Sequence, residues 1–198
     1  MVKKIAIGLL CTVLGSSLYA RDDISLSKPF LGLEIGYATL NADALNYFGD
    51  GTPYEDWKSS DVEYGVRIGA QKSDWRTMLI YNYFDTKKDD YAQTYHKGLL
   101  SLDYMFSFSE TEASAFQPYL GLNVGYISYK TGDTPYTIDA SGFIYGGQIG
   151  FTYNVAEKID IDLMYRYSLG GNVSDENWSD RNRVKNIGSV ILGINYLY

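Results

Sequence analysis

The segment IDIDLMYRYSLGG, residues 159–171, alternates apolar and polar side chains along almost its whole length. One set of alternate positions holds Ile159, Ile161, Leu163, Tyr165, Tyr167 and Leu169, and the other holds Asp160, Asp162, Met164, Arg166 and Ser168. A period of two predicts a β-strand with two unlike faces. In a soluble sheet the apolar face would cover a core, whereas in a membrane-spanning sheet it would face lipid.

Seven other segments alternate in the same way. They are residues 30–40, 62–71, 75–84, 96–106, 117–128, 143–155 and 189–198. Each run is roughly ten residues long, the length that a tilted strand needs to cross a hydrocarbon layer. The 20 Tyr, 20 Gly and only 4 Pro also favour a sheet over a helical protein.

The predicted connections between these runs alternate in length. Short connections are predicted at residues 72–74, 109–115 and 156–157, and longer polar ones at 41–60, 85–94, 129–141 and 170–183. Short turns at one end and long loops at the other are typical of an up-and-down outer-membrane barrel.

Aromatic residues on the apolar faces collect toward the strand ends, if the first strand starts on the periplasmic side and direction alternates. The predicted upper group is Tyr37, Tyr64, Tyr81, Tyr83, Tyr126, Phe143, Tyr145, Tyr165 and Tyr167, and the lower group is Trp75, Tyr104, Phe106, Phe151, Tyr153, Tyr196 and Tyr198. Two aromatic girdles around an aliphatic belt match a bilayer. The sequence therefore predicts an all-β fold, an eight-stranded antiparallel up-and-down transmembrane β-barrel, with its apolar faces toward lipid.

The first twenty residues, MVKKIAIGLLCTVLGSSLYA, have the form of a secretory signal peptide: two lysines, an apolar run and a cleavage site after Ala20. We therefore expect a signal peptide at residues 1–20 and an outer-membrane β-barrel at residues 21–198. Cys11 would suggest a lipoprotein, but Leu10 stands where a small residue should precede a lipidated cysteine. Loss of the signal removes the only cysteine and changes the formal net charge from -7 to -9, which argues against nucleic acid as a partner.

Eight strands enclose an interior just wide enough to be filled by side chains. The charged residues predicted to point into this lumen are Glu34, Glu63, Arg67, Arg76, Lys97, Asp103, Asp160, Asp162 and Arg166. Charges in so narrow a space are costly unless they pair, so we expect a salt-bridged and water-filled plug. The network is interpreted as holding the barrel together, and the alternative is that it gates a narrow pore.

The architecture, the motif PYLGLNVGY at residues 118–126 and the ending GINYLY resemble the OmpA-type family of small eight-stranded outer-membrane barrels. The resemblance covers essentially all of residues 21–198. It implies that an aromatic terminal residue, with apolar residues at alternate positions before it, signals to the outer-membrane assembly machinery. The residues that fit are Val190, Leu192, Ile194, Tyr196 and Tyr198, although the family more often ends in Phe. The peptidoglycan-binding domain that larger members carry is not expected.

No residue pattern points to catalysis, to a cofactor or to a metal. His96, the only histidine, has no serine two positions later, as a barrel-type lipid A deacylase would need, and we expect a histidine beside a loop. No cysteine remains for nucleophilic catalysis, and no second histidine for a metal cluster. In the sequence DENWS, Asn177 is a candidate for bacterial N-glycosylation, because Asp175 precedes it by two residues and Ser179 follows by two.

The sequence therefore predicts a non-enzymatic, integral outer-membrane protein of a Gram-negative bacterium, with a structural or surface-interaction role through its extracellular loops. Expected partners are outer-membrane lipid and lipopolysaccharide, the assembly machinery, and a host or cell-surface ligand reached by loop aromatics such as Tyr47, Phe48, Trp57 and Trp178. Two alternatives are a low-conductance pore for ions or small solutes and a lipid-modifying barrel enzyme. A soluble lipocalin-like barrel is disfavoured by the charged inward set.

Overall fold

In the computed structural model, the described residues form eight antiparallel β-strands that close into one barrel. The structure describes residues 27–44, 55–72, 74–88, 91–106, 116–133, 136–171 and 182–198. The strands are β1 (Lys28–Ala44), β2 (Glu55–Gln71), β3 (Trp75–Lys88), β4 (Tyr91–Met105), β5 (Phe116–Asp133), β6 (Tyr136–Ala156), β7 (Ile159–Gly170) and β8 (Asn182–Leu197). Each pairs with the next along the chain and β8 pairs with β1, so the predicted fold class is confirmed. No helix within the described ranges is long and apolar enough to span a membrane.

The register of the paired residues tilts the strands. Following the pairs once around the sheet from Phe30 leads back to β1 at Leu40, ten residues further along. A stagger of this kind is what tilts the strands of a closed barrel relative to its axis. We refer to the end that holds Lys28 and Leu197 as the lower end, and to the end that holds Ala44 and Asn182 as the upper end.

The predicted alternation in connection length is wrong, because the strands extend further upward than the sequence pattern indicates. β3 reaches Lys88, which pairs with Tyr91, and β5 reaches Asp133, which pairs with Tyr136. Only residues 89–90 and 134–135 separate these strands, where the sequence predicts long loops at 85–94 and 129–141. At the lower end ten residues, 106–115, separate β4 from β5, more than separate either of these strand pairs.

The hydropathy pattern misses these upper extensions because their outward faces are polar. Thr94 donates a hydrogen bond to Asp85 across β3 and β4 at 3.0 Å, and the Lys130 ammonium lies 3.3 Å from the Asp139 carboxylate across β5 and β6. Backbone pairing needs no apolar side chains, and polar cross-strand pairs also stabilise a sheet. Such pairs are unfavourable in hydrocarbon, so these extensions project above the apolar belt.

The two faces of each strand differ as the sequence predicts. In the middle of the barrel the outward side chains are apolar and exposed, with Leu33 keeping 59% and Leu122 keeping 74% of its surface accessible. Above and below this belt the exposed outward residues are aromatic, for example Tyr37 at the upper level and Trp75 at the lower. The opposite faces are buried in the lumen, where the charged residues of these strands collect.

Candidate functional site

The barrel lumen holds all nine charged residues that the sequence predicts to point inward. Each of these nine side chains is 5% exposed or less: Glu34, Glu63, Arg67, Arg76, Lys97, Asp103, Asp160, Asp162 and Arg166. Five acids thus share a narrow interior with four bases. Buried charges are tolerated where they pair and their remaining hydrogen-bonding atoms are satisfied.

Asp162 on β7 is the centre of the lower part of this network. Its Oδ2 atom lies 2.5 Å from Arg67 Nη2 and 3.0 Å from Arg76 Nη1. Thr152 donates a hydrogen bond to Oδ1, and Asn195 donates to Oδ2 at 3.1 Å. Both carboxylate oxygens therefore have charged and neutral donors, the arrangement that makes a buried carboxylate favourable.

Arg76 extends this cluster to β4 and β5. Its Nη2 atom lies 2.9 Å from Asp103 Oδ2, and its guanidinium carbon stands 4.5 Å from the centre of the Tyr119 ring. The other oxygen of Asp103 accepts a hydrogen bond from Gln148 at 2.7 Å. A planar cation that pairs on its edge and stacks on its face is held in one orientation.

Glu34 and Arg166 form a second pair higher in the lumen, with Arg166 Nη1 and Glu34 Oε1 at 2.9 Å. Asn82 donates to the same oxygen at 2.5 Å, and Arg166 Nε donates to Gln148 at 2.9 Å. Arg67 Nη1 lies 3.6 Å from Glu34 Oε2. The chain Asp162–Arg67–Glu34–Arg166 thus joins both clusters.

Lys97 and Glu63 form the uppermost ion pair of the lumen, with Lys97 Nζ 2.8 Å from Glu63 Oε2. The hydroxyl of Tyr95 donates to the same carboxylate oxygen at 2.5 Å. This pair therefore stands between the ionic network below it and the aromatic ring of Tyr95 above it.

Asp160 differs from the other eight charges. Within the described part of the chain it has no ion-pair partner, and its Oδ1 atom accepts a hydrogen bond from Asn154 at the lower end of β6. Its Oδ2 atom is buried with no hydrogen-bond partner among the described residues. The lumen therefore carries one more acid than its ion pairs use.

Two inward glycines make room for the network. A Cβ atom at Gly193 would overlap the guanidinium of Arg67, and one at Gly121 would overlap the carboxylate of Asp103. The ion pairs can reach across the barrel because these positions carry no side chain.

Sequence reasoning missed an apolar layer that fills the upper lumen. Its members are Leu40, Phe84, Tyr95, Ile127, Tyr129, Ala140, Ile144, Val184 and Ile187, all buried. The rings of Phe84 and Tyr95 are stacked with centroids 4.7 Å apart and planes inclined by 4°. The missed signal is the period of two itself, which continues past the upper ends of the predicted strands. Packed side chains, rather than charges, fill this half of the lumen.

His96 lies on the outer surface, at the upper edge of the apolar belt. Its Nδ1 atom is 2.7 Å from the Tyr81 hydroxyl, and its ring centroid is 5.2 Å from that of Tyr83. Its cross-strand neighbour on β5 is Ser128, a proximity that spacing along one strand does not reveal. In a Ser-His-Asp triad a carboxylate orients the imidazole through Nδ1. Here a phenol occupies that position.

Four of the five residues attributed to the assembly signal lie on the outward face of β8, and the fifth directly follows this strand. They are 47–66% exposed: Val190, Leu192, Ile194, Tyr196 and Tyr198. The candidate glycosylation site Asn177 and the predicted signal peptide at residues 1–20 lie outside the described residues. In the described ranges, no group of three or more His, Cys, Asp or Glu side chains is placed to hold a metal ion.

Comparison with known proteins finds likeness at the level of structure. No family model and no curated protein sequence matches the chain significantly. Neisserial surface protein A is 17% identical with a TM-score of 0.60, over 84% of this chain and 97% of that protein. The outer membrane protein OprG from Pseudomonas aeruginosa is 18% identical with a TM-score of 0.54, over 86% and 96% of the two chains. Outer membrane protein H of the same organism is 17% identical with a TM-score of 0.53, over 86% and 99%.

Identities this low show a shared fold rather than a shared activity. Two of these proteins are outer membrane proteins and the third is a surface protein, and each is covered almost completely. Together with the closed eight-stranded sheet and its apolar outer belt, the comparison shows that this chain has the fold of the small eight-stranded outer-membrane β-barrels.

Proposed function

We propose that the protein is an integral component of a bacterial outer membrane whose closed barrel supports envelope structure or contact at the cell surface. The observation that carries this proposal is the filled lumen. Ion pairs centred on Asp162 and Glu34, together with a smaller apolar cluster, occupy its lower and middle parts, and the apolar layer occupies its upper part. A barrel closed in this way is a rigid support for the segments that emerge from it.

The outer surface supports membrane insertion and one orientation. A continuous exposed apolar belt is unusual for a soluble monomer but suits a hydrocarbon layer. The polar strand extensions, such as the Lys130–Asp139 pair, all rise from the upper end. We therefore assign the lower end, with Lys28, to the periplasm and the upper end to the cell exterior.

Surface contact is assigned to the upper connections, residues 45–54 and 172–181. Their aromatic and acidic residues suit contact with a host or cell-surface ligand, and with lipopolysaccharide through divalent cations. Replacing both segments with Gly-Ser linkers should leave the heat-modifiable gel migration of the barrel intact and abolish adhesion of expressing cells to cultured cells. Unchanged adhesion would contradict this assignment.

Single-channel recording in a planar bilayer tests the closed lumen. The wild-type protein should be silent, whereas the Arg67→Ala, Arg166→Ala double variant should conduct or lose stability, because it opens the ionic network. A Lys130→Ala variant is the matched control, since it removes a cation outside the lumen.

The runner-up function is a low-conductance pore for ions or small solutes. The observation that favours it is Asp160, a buried acid that no described cation pairs, near the lower mouth of the barrel. Steady wild-type openings that Asp160→Asn alters would establish the pore and overturn the closed-lumen proposal.

A lipid-modifying enzyme is a further candidate because His96 and Ser128 are neighbours on the lipid-facing surface. We propose that the protein is not an enzyme, since the hydroxyl of Tyr81 hydrogen-bonds to Nδ1 of His96, the atom that a carboxylate would bond in a catalytic triad. Incubation with acyl-labelled outer-membrane lipid should release no fatty acid. Release that His96→Ala or Ser128→Ala abolishes would show the opposite.

The outward face of β8 is proposed as the signal for the assembly machinery. Tyr198→Ala and Tyr196→Ala should each lower the fraction of protein inserted in the outer membrane, with accumulation in the periplasm. Tyr153→Ala, an exposed outward tyrosine at the lower end of β6, is the matched control. Equal insertion of all three variants would contradict the role of β8.

A further inference from the structure

A concave site lies on the outer surface where β7, β8 and β1 meet, at the upper edge of the apolar belt. Its volume is about 280 Å³, and its lining includes three tyrosines, two asparagines and one glycine: Tyr37, Tyr165, Tyr167, Asn41, Asn186 and Gly188. The site is outside the lumen and uses none of the nine lumen charges.

Gly188 creates the depression. It lies between Thr39 on β1 and Tyr167 on β7, and a Cβ atom there would stand 2.7 Å from the Tyr165 hydroxyl. Any larger residue would push the ring of Tyr165 and fill the cavity. The register shift between Asn41 and Ala42, a bulge of the kind found at barrel rims, lies just above.

The upper wall of the cavity is polar and the lower wall is apolar. Asn41 Nδ2 donates a hydrogen bond to Asn186 Oδ1 at 2.6 Å, which leaves the oxygen of Asn41 and the amide nitrogen of Asn186 outside that bond. Below them Val190, 54% exposed, begins the aliphatic belt. The boundary between water and hydrocarbon therefore crosses the cavity.

The lining suits the headgroup of a glycolipid. Tyr37 and Tyr165, 58% and 47% exposed, present ring faces and hydroxyls, which can stack on the C–H face of a sugar and bond its hydroxyl groups. Neutral amides are polar groups that fix the orientation of such a ligand. Two exposed lysines adjoin the lining residues along the strands without lining the cavity themselves: Lys58 lies across from Asn41, and Lys185 precedes Asn186 in the chain. They supply the positive charge that a phosphate on the sugar would require.

We propose that this cavity binds the phosphorylated sugar headgroup of a glycolipid of the outer leaflet, a proposal that rests on the outer-membrane location proposed above. The sugar ring lies against the tyrosines and its hydroxyls meet Asn41 and Asn186. The acyl chains run downward over Val190 and Leu192, whose side chains face the same direction along β8. A soluble sugar phosphate has no acyl chains to use this lower wall.

Native mass spectrometry of the protein in detergent tests the site with three probes. They are lipid A, phosphatidylglycerol of similar chain length and soluble glucosamine 1-phosphate. The wild-type protein should retain one lipid A molecule in preference to the other two. Gly188→Val and Asn186→Ala should each weaken that binding by about tenfold, the loss of one well-formed contact.

The matched control is Gly98→Val. Gly98 also faces outward, on β4 at the upper part of the belt, and no atom lies within 4 Å of a Cβ atom built there. This variant should bind lipid A as the wild type does. Equal binding by Gly188→Val would overturn the proposal, because the lipid would then cover the belt without a site.

Two other outcomes would also overturn it. Equal retention of phosphatidylglycerol would mean that the site recognises only the phosphate group. Tight binding of glucosamine 1-phosphate would mean that it binds a soluble sugar phosphate. Heat-modifiable migration and membrane fractionation of every variant test the proposed outer-membrane location independently of lipid binding. A protein absent from the outer-membrane fraction would contradict the proposed location, whatever the lipid result.

Discussion

The lower and upper halves of the lumen differ in their buried ion pairs, although an apolar cluster also packs in the lower half. In the lower half, Asp162 and its partners Arg67 and Arg76 form buried ion pairs at 2.5 and 3.0 Å. In the upper half, apolar side chains such as Phe84 and Ile187 pack together, each 1% exposed or less. The side chains of both halves are buried, but they differ in how much each residue depends on a particular partner.

The difference concerns what happens when one side chain is lost. An apolar side chain that is removed leaves a cavity, whose cost depends on how far its neighbours relax. A buried ion that loses its partner remains charged in a medium that solvates it poorly. The ionic half should therefore be sensitive to single changes and tolerant of matched double changes, whereas the apolar half should respond mainly to volume.

The largest effect is expected for Asp162→Ala. Removal of this carboxylate leaves Arg67 and Arg76 with one acidic partner fewer each, so the free energy of unfolding should fall by about 3–5 kcal/mol. Urea unfolding of the refolded protein in phosphocholine micelles, followed by tryptophan fluorescence, measures it. Asp85→Ala is the control, because that carboxylate lies on the exposed outer face. Equal losses in both variants would contradict the difference between lumen and surface.

A somewhat smaller loss is expected for Ile187→Ala in the apolar layer. Ile187 is 1% exposed and pairs with Leu40 across β1 and β8. Truncation creates a cavity and should lower the free energy of unfolding by about 3 kcal/mol, measured in the same way. Ile187→Val, which removes one methylene group, should cost about 1 kcal/mol. A loss in Ile187→Val as large as in Ile187→Ala would show that shape matters more than volume.

The sequence is enough to predict the closed sheet and the inward position of its charged residues. The strict alternation at Asp160, Asp162 and Arg166 is enough to place these charges on one face, and eight such runs are enough to predict a closed sheet. The pairing of particular acids with particular bases cannot be predicted from the sequence, because Arg67 and Asp162 come together through the stagger of the whole barrel. That stagger sums the register of eight strand pairs, and no local pattern encodes it.

The apolar layer of the upper lumen is not predicted, for a related reason. The hydropathy pattern ends each strand where its outward residues become polar, at positions such as Asp85 and Thr94. Backbone pairing continued there, and so did the inward apolar positions, such as Tyr129. The proximity of His96 and Ser128 cannot be predicted either, since the two residues are 32 positions apart and are brought together only by strand pairing.

A smaller net effect is expected when both members of a lumen ion pair are replaced. Arg166→Met alone leaves Glu34 without its nearest cation and should cost about 3–5 kcal/mol, whereas the Glu34→Leu, Arg166→Met double variant should lie within about 2 kcal/mol of the wild type. Asn82 and Gln148 lose a charged partner in the double variant, and Arg67 loses its contact with Glu34, so these losses set the remaining cost. A double-mutant cycle from urea unfolding gives the coupling. Additive losses would mean that the two charges act separately.

The smallest effect is expected for the exposed ion pair of Lys130 and Asp139, whose side chains are 57% and 62% exposed. Water screens this pair and its long side chains lose freedom when they meet, so Lys130→Ala should change the free energy of unfolding by less than about 1 kcal/mol. Added salt should reduce even that difference, while the loss in Asp162→Ala should persist because the side chains of Asp162 and Arg67 are fully buried. Urea unfolding at low and high ionic strength measures both. If salt weakened the two variants' effects equally, the lumen network would be in contact with bulk water, and the closed barrel would have to be reconsidered as a pore.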